Sequence, residues 1–142
     1  MASDESCIFC RIVRKQAPAS VVYEDDAVIA FLDIRPLNMG HTLVIPKAHY
    51  VDVFDAPEEQ ISQVYKVSKQ IALAVKKATK ADGVSLIQQN GKAAGQDIFH
   101  LHVHVVPRFE GQKLAAFNEL KAVERSKLDG IAEKIKQLLE SN

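Results

Sequence analysis

Three of the chain's five histidines alternate with aliphatic residues in His100-Leu101-His102-Val103-His104-Val105-Val106, followed directly by Pro107-Arg108. A period of two is that of an extended strand, so the run directs three imidazoles to one face and Leu101, Val103 and Val105 to the other. The first face suits chemistry and the second a core. Imidazole has an unperturbed pKa of about 6.5, so it is mostly neutral yet readily protonated near neutral pH, and it serves as nucleophile, base, phosphate donor or metal ligand. Burying three such rings without roles would be costly. Successive rings at this spacing lie about 6.6 Å apart along the chain. Two can hold one metal ion, whereas three on one ion require a bend. A metal-dependent hydrolase built on the cluster is therefore one reading. In the other, one histidine attacks a phosphorus atom while its neighbours orient it or donate to the phosphate oxygens. Gly91, Ala93, Ala94 and Gly95 in the preceding loop are small enough for backbone N–H groups to approach an anion, and equally suit a tight strand connection.

A second group of chemical interest is Cys7 and Cys10, the only two cysteines. In a reducing compartment a C-x-x-C is read as metal-binding or redox-active before it is read as a structural disulfide. The spacing is that of one half of a tetrahedral zinc site, which two nitrogen ligands would complete.

The elements that must position these groups are legible. Ile8 to Lys15 reads as a short helix or turn, and Val21 to Glu24, Ala27 to Asp33 and His41 to Pro46 read as strands rich in β-branched residues. Asp55 as N-cap, Pro57 in the first turn and Glu58-Glu59 open a long helix with Ile61, Val64, Tyr65, Ile71, Val75 and Ala78 on its apolar face. Lys76, Lys77 and Lys80 suit its C-terminal end and Gly83 its stop. Strands at Val84 to Gln89 and Phe99 to Val106 follow, joined by the loop Asn90 to Asp97. A final helix carries Leu128, Ile131, Ile135 and Leu138 on one stripe. Five short strands with one long helix between them predict an α+β fold whose sheet is mostly antiparallel, since parallel pairs would need more crossovers.

A chain of 142 residues makes one domain, residues 1–142. Its 18 basic and 18 acidic residues balance, and no basic run interleaves with aromatics, which disfavours nucleic acid as a partner. The start, Met1-Ala2-Ser3-Asp4-Glu5-Ser6, lacks the features of a signal peptide, and no apolar stretch has membrane-spanning length. A cytoplasmic location is expected, with no membrane partner.

The histidine run, with Gly95-Gln96 upstream and Pro107-Arg108 downstream, resembles the histidine triad of the HIT superfamily. Phe31-Leu32-Asp33-Ile34-Arg35-Pro36 and Gly40-His41-Thr42-Leu43-Val44-Ile45-Pro46-Lys47-Ala48-His49 are similar to its nucleotide-pocket half, and Cys7-Ile8-Phe9-Cys10-Arg11-Ile12 to the opening of its prokaryotic zinc-containing members. The likeness spans about 7–109 and leaves 110–142 unassigned. It implies a five-stranded antiparallel sheet with a long helix, a homodimer, and nucleotide hydrolysis or transfer at an α-phosphate of a purine nucleotide or nucleotide conjugate. It further implies His102 as the nucleophile that takes up the nucleoside monophosphate, its ring N–H held by the His100 carbonyl. His104 and His41 would stand beside the phosphate, with Gln96, Asn90 and Gly95 supplying hydrogen bonds. Asp33 would hold the ribose, and Ile8, Phe9, Ile12, Phe31, Ile34 and Leu43 would line the base slot. A structural zinc would be held by Cys7, Cys10, His49 and His100.

Asp97 departs from the pattern, which commonly has serine or threonine there. An ionised carboxylate repels phosphate, so Asp97 either is protonated and acts as general acid or points away. The substitution also raises the alternative of a nucleotide-binding interaction protein with little turnover. Dinucleoside polyphosphates and nucleoside phosphoramidates share the α-phosphate and differ in leaving group, on which the sequence is silent. Arg108 is either a substrate contact or a solvated strand end.

Overall fold

A computed structural model describes residues 3–114 and 120–141. The elements in chain order are α1 (Ile8–Val13), β1 (Val21–Glu24), β2 (Val28–Leu32), β3 (Thr42–Pro46), α2 (Glu58–Thr79), β4 (Gly83–Gln88), β5 (Val103–Arg108) and α3 (Arg125–Glu140). The five strands form one sheet in the order β1-β2-β3-β5-β4, with every neighbouring pair antiparallel. The expected α+β architecture is thus the one observed.

Both faces of the sheet are covered, which explains why β2 and β3 are buried at every position rather than alternating with polar residues. Val28, Ala30, Leu32, Val44, Val103 and Val105 face α2 and α3, where Val64, Ile71, Val75, Leu128 and Ile135 complete the larger core. Ile29, Phe31, Leu43 and Ile45 face the other way, onto Phe9 and Ile12 of α1. The imidazoles lie on this second face, because Val103 and Val105 of β5 commit their side chains to the first.

Local chemistry shifts several element ends from their expected positions. α2 begins at Glu58 with Pro57 at its N-cap, and the Asp55 carboxylate instead accepts the Val51 N–H at 2.8 Å. The helix stops at Lys80, which adopts a left-handed conformation (φ 57°), while Ala81 N–H returns to the Lys76 carbonyl at 3.1 Å. Gly83 is therefore the first residue of β4 rather than the stop of the helix. The histidine strand also starts late, at Val103, because the Leu101 N–H is drawn to the Tyr50 carbonyl (2.7 Å) instead of joining the ladder. No helix among the described residues is long and apolar enough to cross a membrane.

Candidate active site and metal centre

The loop from Asp33 to His41 folds back on itself through Asp33 N–H to the His41 carbonyl (2.9 Å) and His41 N–H to the Asn38 carbonyl (3.0 Å). Gly40 makes this possible. Its φ of +101° disfavours any side chain, and a Cβ there would come within 2.8 Å of Thr79 Cγ2 on α2. His41 is thereby inserted beneath β5, fully buried, while cross-strand pairing of Leu43 with His104 sets the register between them.

Hydrogen bonds fix which nitrogen of each ring carries the proton. His102 Nδ1 lies 2.7 Å from the His100 carbonyl. A carbonyl can only accept, so Nδ1 is protonated and Nε2 holds the lone pair. The Leu37 N–H donates to His41 Nδ1 at 3.0 Å, which places the His41 proton on Nε2, and that N–H donates to His104 Nδ1 at 3.0 Å. The His104 proton therefore resides on its own Nε2. The rings of His102 and His104 are neighbours, with centroids 4.8 Å apart.

Beside them opens a cavity of about 620 Å³. Its walls include all six apolar residues expected of the base slot, namely Ile8, Phe9, Ile12, Phe31, Ile34 and Leu43, together with Asp33, Gly95, Asp97, His102 and His104. Three residues expected beside the phosphate are placed differently. His41 stands behind His104, outside the cavity wall, and meets that wall through its hydrogen bond to His104 and its 3.6 Å approach to Asp33. The Gln96 side chain is used within the loop: Oε1 accepts the Gly91 N–H (2.8 Å), and Nε2 donates to the carbonyls of Val51 (2.6 Å) and Ile98 (3.1 Å). Asn90 likewise braces the Val53 N–H (2.9 Å) and exchanges hydrogen bonds with Gln88 (2.7 and 2.9 Å). Buried amides find partners wherever they stop, and here the backbone turns of the loop meet them first. Gln89 and the C-terminal residues Leu120 and Arg125 also line the cavity and were not anticipated. Arg108 ends β5 outside it, with Nη1 on the Ser85 hydroxyl at 3.2 Å.

Burial dominates the electrostatics. It lowers His41 from 6.5 to about 3 and His104 from 6.5 to about 4, reinforced in both by neighbouring imidazoles. His102 is lowered for the same reason, partly offset by its bond to the His100 carbonyl and by Asp97. Burial pushes the Asp33 carboxyl up to about 6, opposed by the Arg35 N–H and helped by Asp97. Asp33 and His41, 3.6 Å apart, are consequently not a charged pair. These shifts predict the acid response of the fold. His41 and His104 bind protons less readily folded than unfolded, so the stability they confer is complete above about pH 6.5 and is lost as pH falls toward 4. Asp33 acts oppositely: its contribution is present below about 4 and lost as pH rises through about 6. Two larger histidine effects outweigh one carboxylate, so the melting temperature should fall between pH 7 and 4.5, and a His41→Asn variant should fall less steeply. Scanning calorimetry across that range checks the sign.

The second cluster joins α1 to the histidine-bearing segment. Cys7 Sγ, Cys10 Sγ, His49 Nδ1 and His100 Nδ1 all lie within 4.8 Å of one another. Three of the four S–N separations are 3.3, 3.4 and 3.6 Å, and the two nitrogens are 3.2 Å apart. A tetrahedral zinc ion with ordinary bond lengths spaces its ligands by about 3.6 Å for S–N and about 3.3 Å for N–N. The donor set fits. His100 Nε2–H is held by the Pro46 carbonyl at 2.8 Å, which bares Nδ1 as a ligand. A second possible group, Asp33, His41 and His104, fits a metal less well, because His41 Nε2 already carries the proton donated to His104.

An antiparallel α+β sheet with a row of differently engaged histidines at one end of a nucleotide-sized cavity defines a recognisable class of protein. Residues 14–111 match the HIT domain family model, and the chain belongs to this family. It is 43% identical over 131 residues to a HIT-like protein of Methanocaldococcus jannaschii, covering 92% of this chain and 98% of that protein. It is 41% identical over 115 residues to the adenylylsulfatase HINT3 of Arabidopsis thaliana, covering 81% of this chain and 58% of that protein. A zinc-bound histidine triad family protein from Mycobacterium smegmatis superposes with a TM-score of 0.85 at 41% identity, over 96% of this chain and 94% of the other.

Proposed function

We propose that the protein is a nucleotide hydrolase or transferase acting at the α-phosphate of purine nucleotide conjugates, of the dinucleoside polyphosphate or nucleoside phosphoramidate type, through a nucleotidyl-histidine intermediate. The observation that carries this reading is the 2.7 Å bond from His102 Nδ1–H to the His100 carbonyl, which turns a cavity-lining ring into an oriented, neutral nitrogen nucleophile.

His102 Nε2 forms a bond to phosphorus as the bond to the leaving group breaks, and the leaving atom takes the electron pair. The Nε2–H of neutral His104 donates a hydrogen bond to that atom as charge builds on it, and the leaving group takes any proton it needs from solvent. Water then attacks the phosphorus and passes its proton to solvent, while the electron pair of the nitrogen–phosphorus bond returns to His102 Nε2. His41 is a positioning residue in this scheme, since its donation to His104 Nδ1 keeps the His104 proton on the side of the cavity. Asp33 binds the ribose hydroxyls and the apolar slot takes the base. Asp97 is exposed, with Oδ1 accepting the Ile98 N–H at 2.9 Å, and so lacks the dry surroundings of a carboxylic general acid. We assign to His104 the hydrogen bond that stabilises the leaving atom. The similarity to a protein named adenylylsulfatase supports chemistry of this kind.

Cys7, Cys10, His49 and His100 are proposed to hold one structural zinc ion, supported by their spacing and by the zinc-bound relative. The ion would tie α1 to the catalytic segment and take no part in the reaction. A reducing, cytoplasmic setting keeps the two thiols available for it. A homodimer is supported by β4, whose outer edge carries no strand among the described residues, and by exposed Leu86, Phe99 and Phe54, the last 84% exposed.

The test is AMP release from diadenosine polyphosphates and adenosine phosphoramidate, with an alkaline quench to preserve a phosphorus–nitrogen adduct for mass spectrometry. Release together with an adenylylated peptide containing His102 is expected. Nucleotide binding without release would assign the binding-protein role instead, and chelator-sensitive release without an adduct the metal-dependent one.

A further inference from the structure

The cavity has a second polar end that the chemistry at His102 does not use. From His102 its wall passes to Phe9, with ring centroids 5.3 Å apart, and from Phe9 to Phe31 at 5.4 Å. Beyond Phe31 it is closed by the turn at residues 17–19 and by Leu120 and Arg125 of the C-terminal segment. Arg125 Nη1 donates to the Ser20 hydroxyl at 2.9 Å, and that hydroxyl donates to Asp129 Oδ1 at 2.7 Å. Ser20 is itself buried, and its carbonyl accepts the Leu32 N–H at 3.0 Å, which fixes it to β2. The guanidinium is thus held by a group that is itself held. Among the described residues no carboxylate lies within ion-pair distance of Arg125.

A planar fork of N–H donors at the far end of an apolar slot has one natural use if the slot holds a purine. Guanine and hypoxanthine present two acceptors, N7 and O6, on one edge, and these match a guanidinium in bidentate fashion. Adenine presents N7 beside an amino group, whose hydrogens oppose the donors. The phosphate end cannot make this distinction, since α-phosphate and ribose are common to all purine nucleotides.

We propose that Arg125 reads the base and makes the site prefer guanine and hypoxanthine nucleotides over adenine nucleotides. This rests on the reading of the cavity as a nucleotide site, and it gives the C-terminal segment a part in specificity.

Calorimetric titration of the full chain with GMP, IMP, AMP and 7-deaza-GMP tests it, alongside Arg125→Met and Arg125→Lys, each first checked by thermal melting. Wild type should bind GMP and IMP about tenfold or more tightly than AMP, with 7-deaza-GMP weakened toward AMP. Arg125→Met should abolish the ratio, and Arg125→Lys should retain affinity for all four while losing most of the preference. A role confined to anchoring α3 would change stability and leave the GMP to AMP ratio alone. Equal binding of AMP and GMP by wild type, or a ratio that survives in Arg125→Met, overturns the proposal while leaving the hydrolase reading intact. Failure of every nucleotide to bind wild type overturns both. Should the variants fail to fold, the wild-type series with 7-deaza-GMP still decides.

Discussion

His102→Asn should lower the rate of AMP release by about 10³-fold or more, the scale on which removal of a covalent nucleophile acts. The variant separates attack from orientation. Its amide still donates a hydrogen bond in the neighbourhood of the His100 carbonyl but offers no nitrogen lone pair to phosphorus. Because Phe9, Phe31 and Asp33 are untouched, nucleotide affinity should change little, so the loss should fall on kcat rather than KM. His41→Asn should also lower kcat, by about 10-fold to 100-fold, because it only misdirects the proton on His104. Steady-state kinetics of the two variants beside wild type test the order. Comparable losses would move His41 from positioning into the reaction itself, and full activity in His102→Asn would remove the covalent mechanism.

The second large effect is on stability. If the four ligands hold zinc, then zinc at a thousand times its dissociation constant stabilises the fold by about 4 kcal/mol, and chelation withdraws that stabilisation. Burial raises the Cys7 thiol above its ordinary value, so an unmetallated cluster keeps a neutral thiol where a metal would hold a thiolate. Activity should decline along with stability, because His100 has two attachments. Its imidazole belongs to the cluster and its carbonyl orients His102. Melting curves before and after chelation and after reloading with zinc, repeated on Cys10→Ser, provide the check. Wild type should lose and regain its melting temperature, whereas Cys10→Ser should be low throughout and unresponsive. A wild-type melting temperature indifferent to both treatments would remove the metal from the account.

Much of the sheet was legible because its signals are local. The β-branched runs that form β1, β2 and β3 end within a residue or two of where turn residues interrupt them. That Ile8, Phe9, Ile12, Phe31, Ile34 and Leu43 share one cavity was legible too, through resemblance, since each taken singly is also ordinary core. What escaped was set by competition for hydrogen-bond partners. Asp55 as a cap, Gly83 as a stop, and Gln96 and Asn90 as phosphate donors are all plausible from residue type, yet each polar group met a nearer partner or a different backbone conformation. Leu120 and Arg125 escaped for another reason. They lie far along the chain from the triad, and only the packing of α3 onto β1 and α2 brings them to the cavity. Nothing in their local spacing announces it.

The pairing of β5 with its neighbours limits how this protein can change length. Leu43 and Ile87 flank His104 from either side, and the adjacent Val103 is delivered to the helix-covered face. Inserting or deleting one residue between His102 and His104 would reverse that assignment for one of the two rings, turning an imidazole into the aliphatic core or a valine into the cavity. Point substitutions at the surface leave the arrangement alone. Indels of odd length in this segment destroy it outright, so descendants of this chain can lengthen their connecting loops but must keep this count fixed.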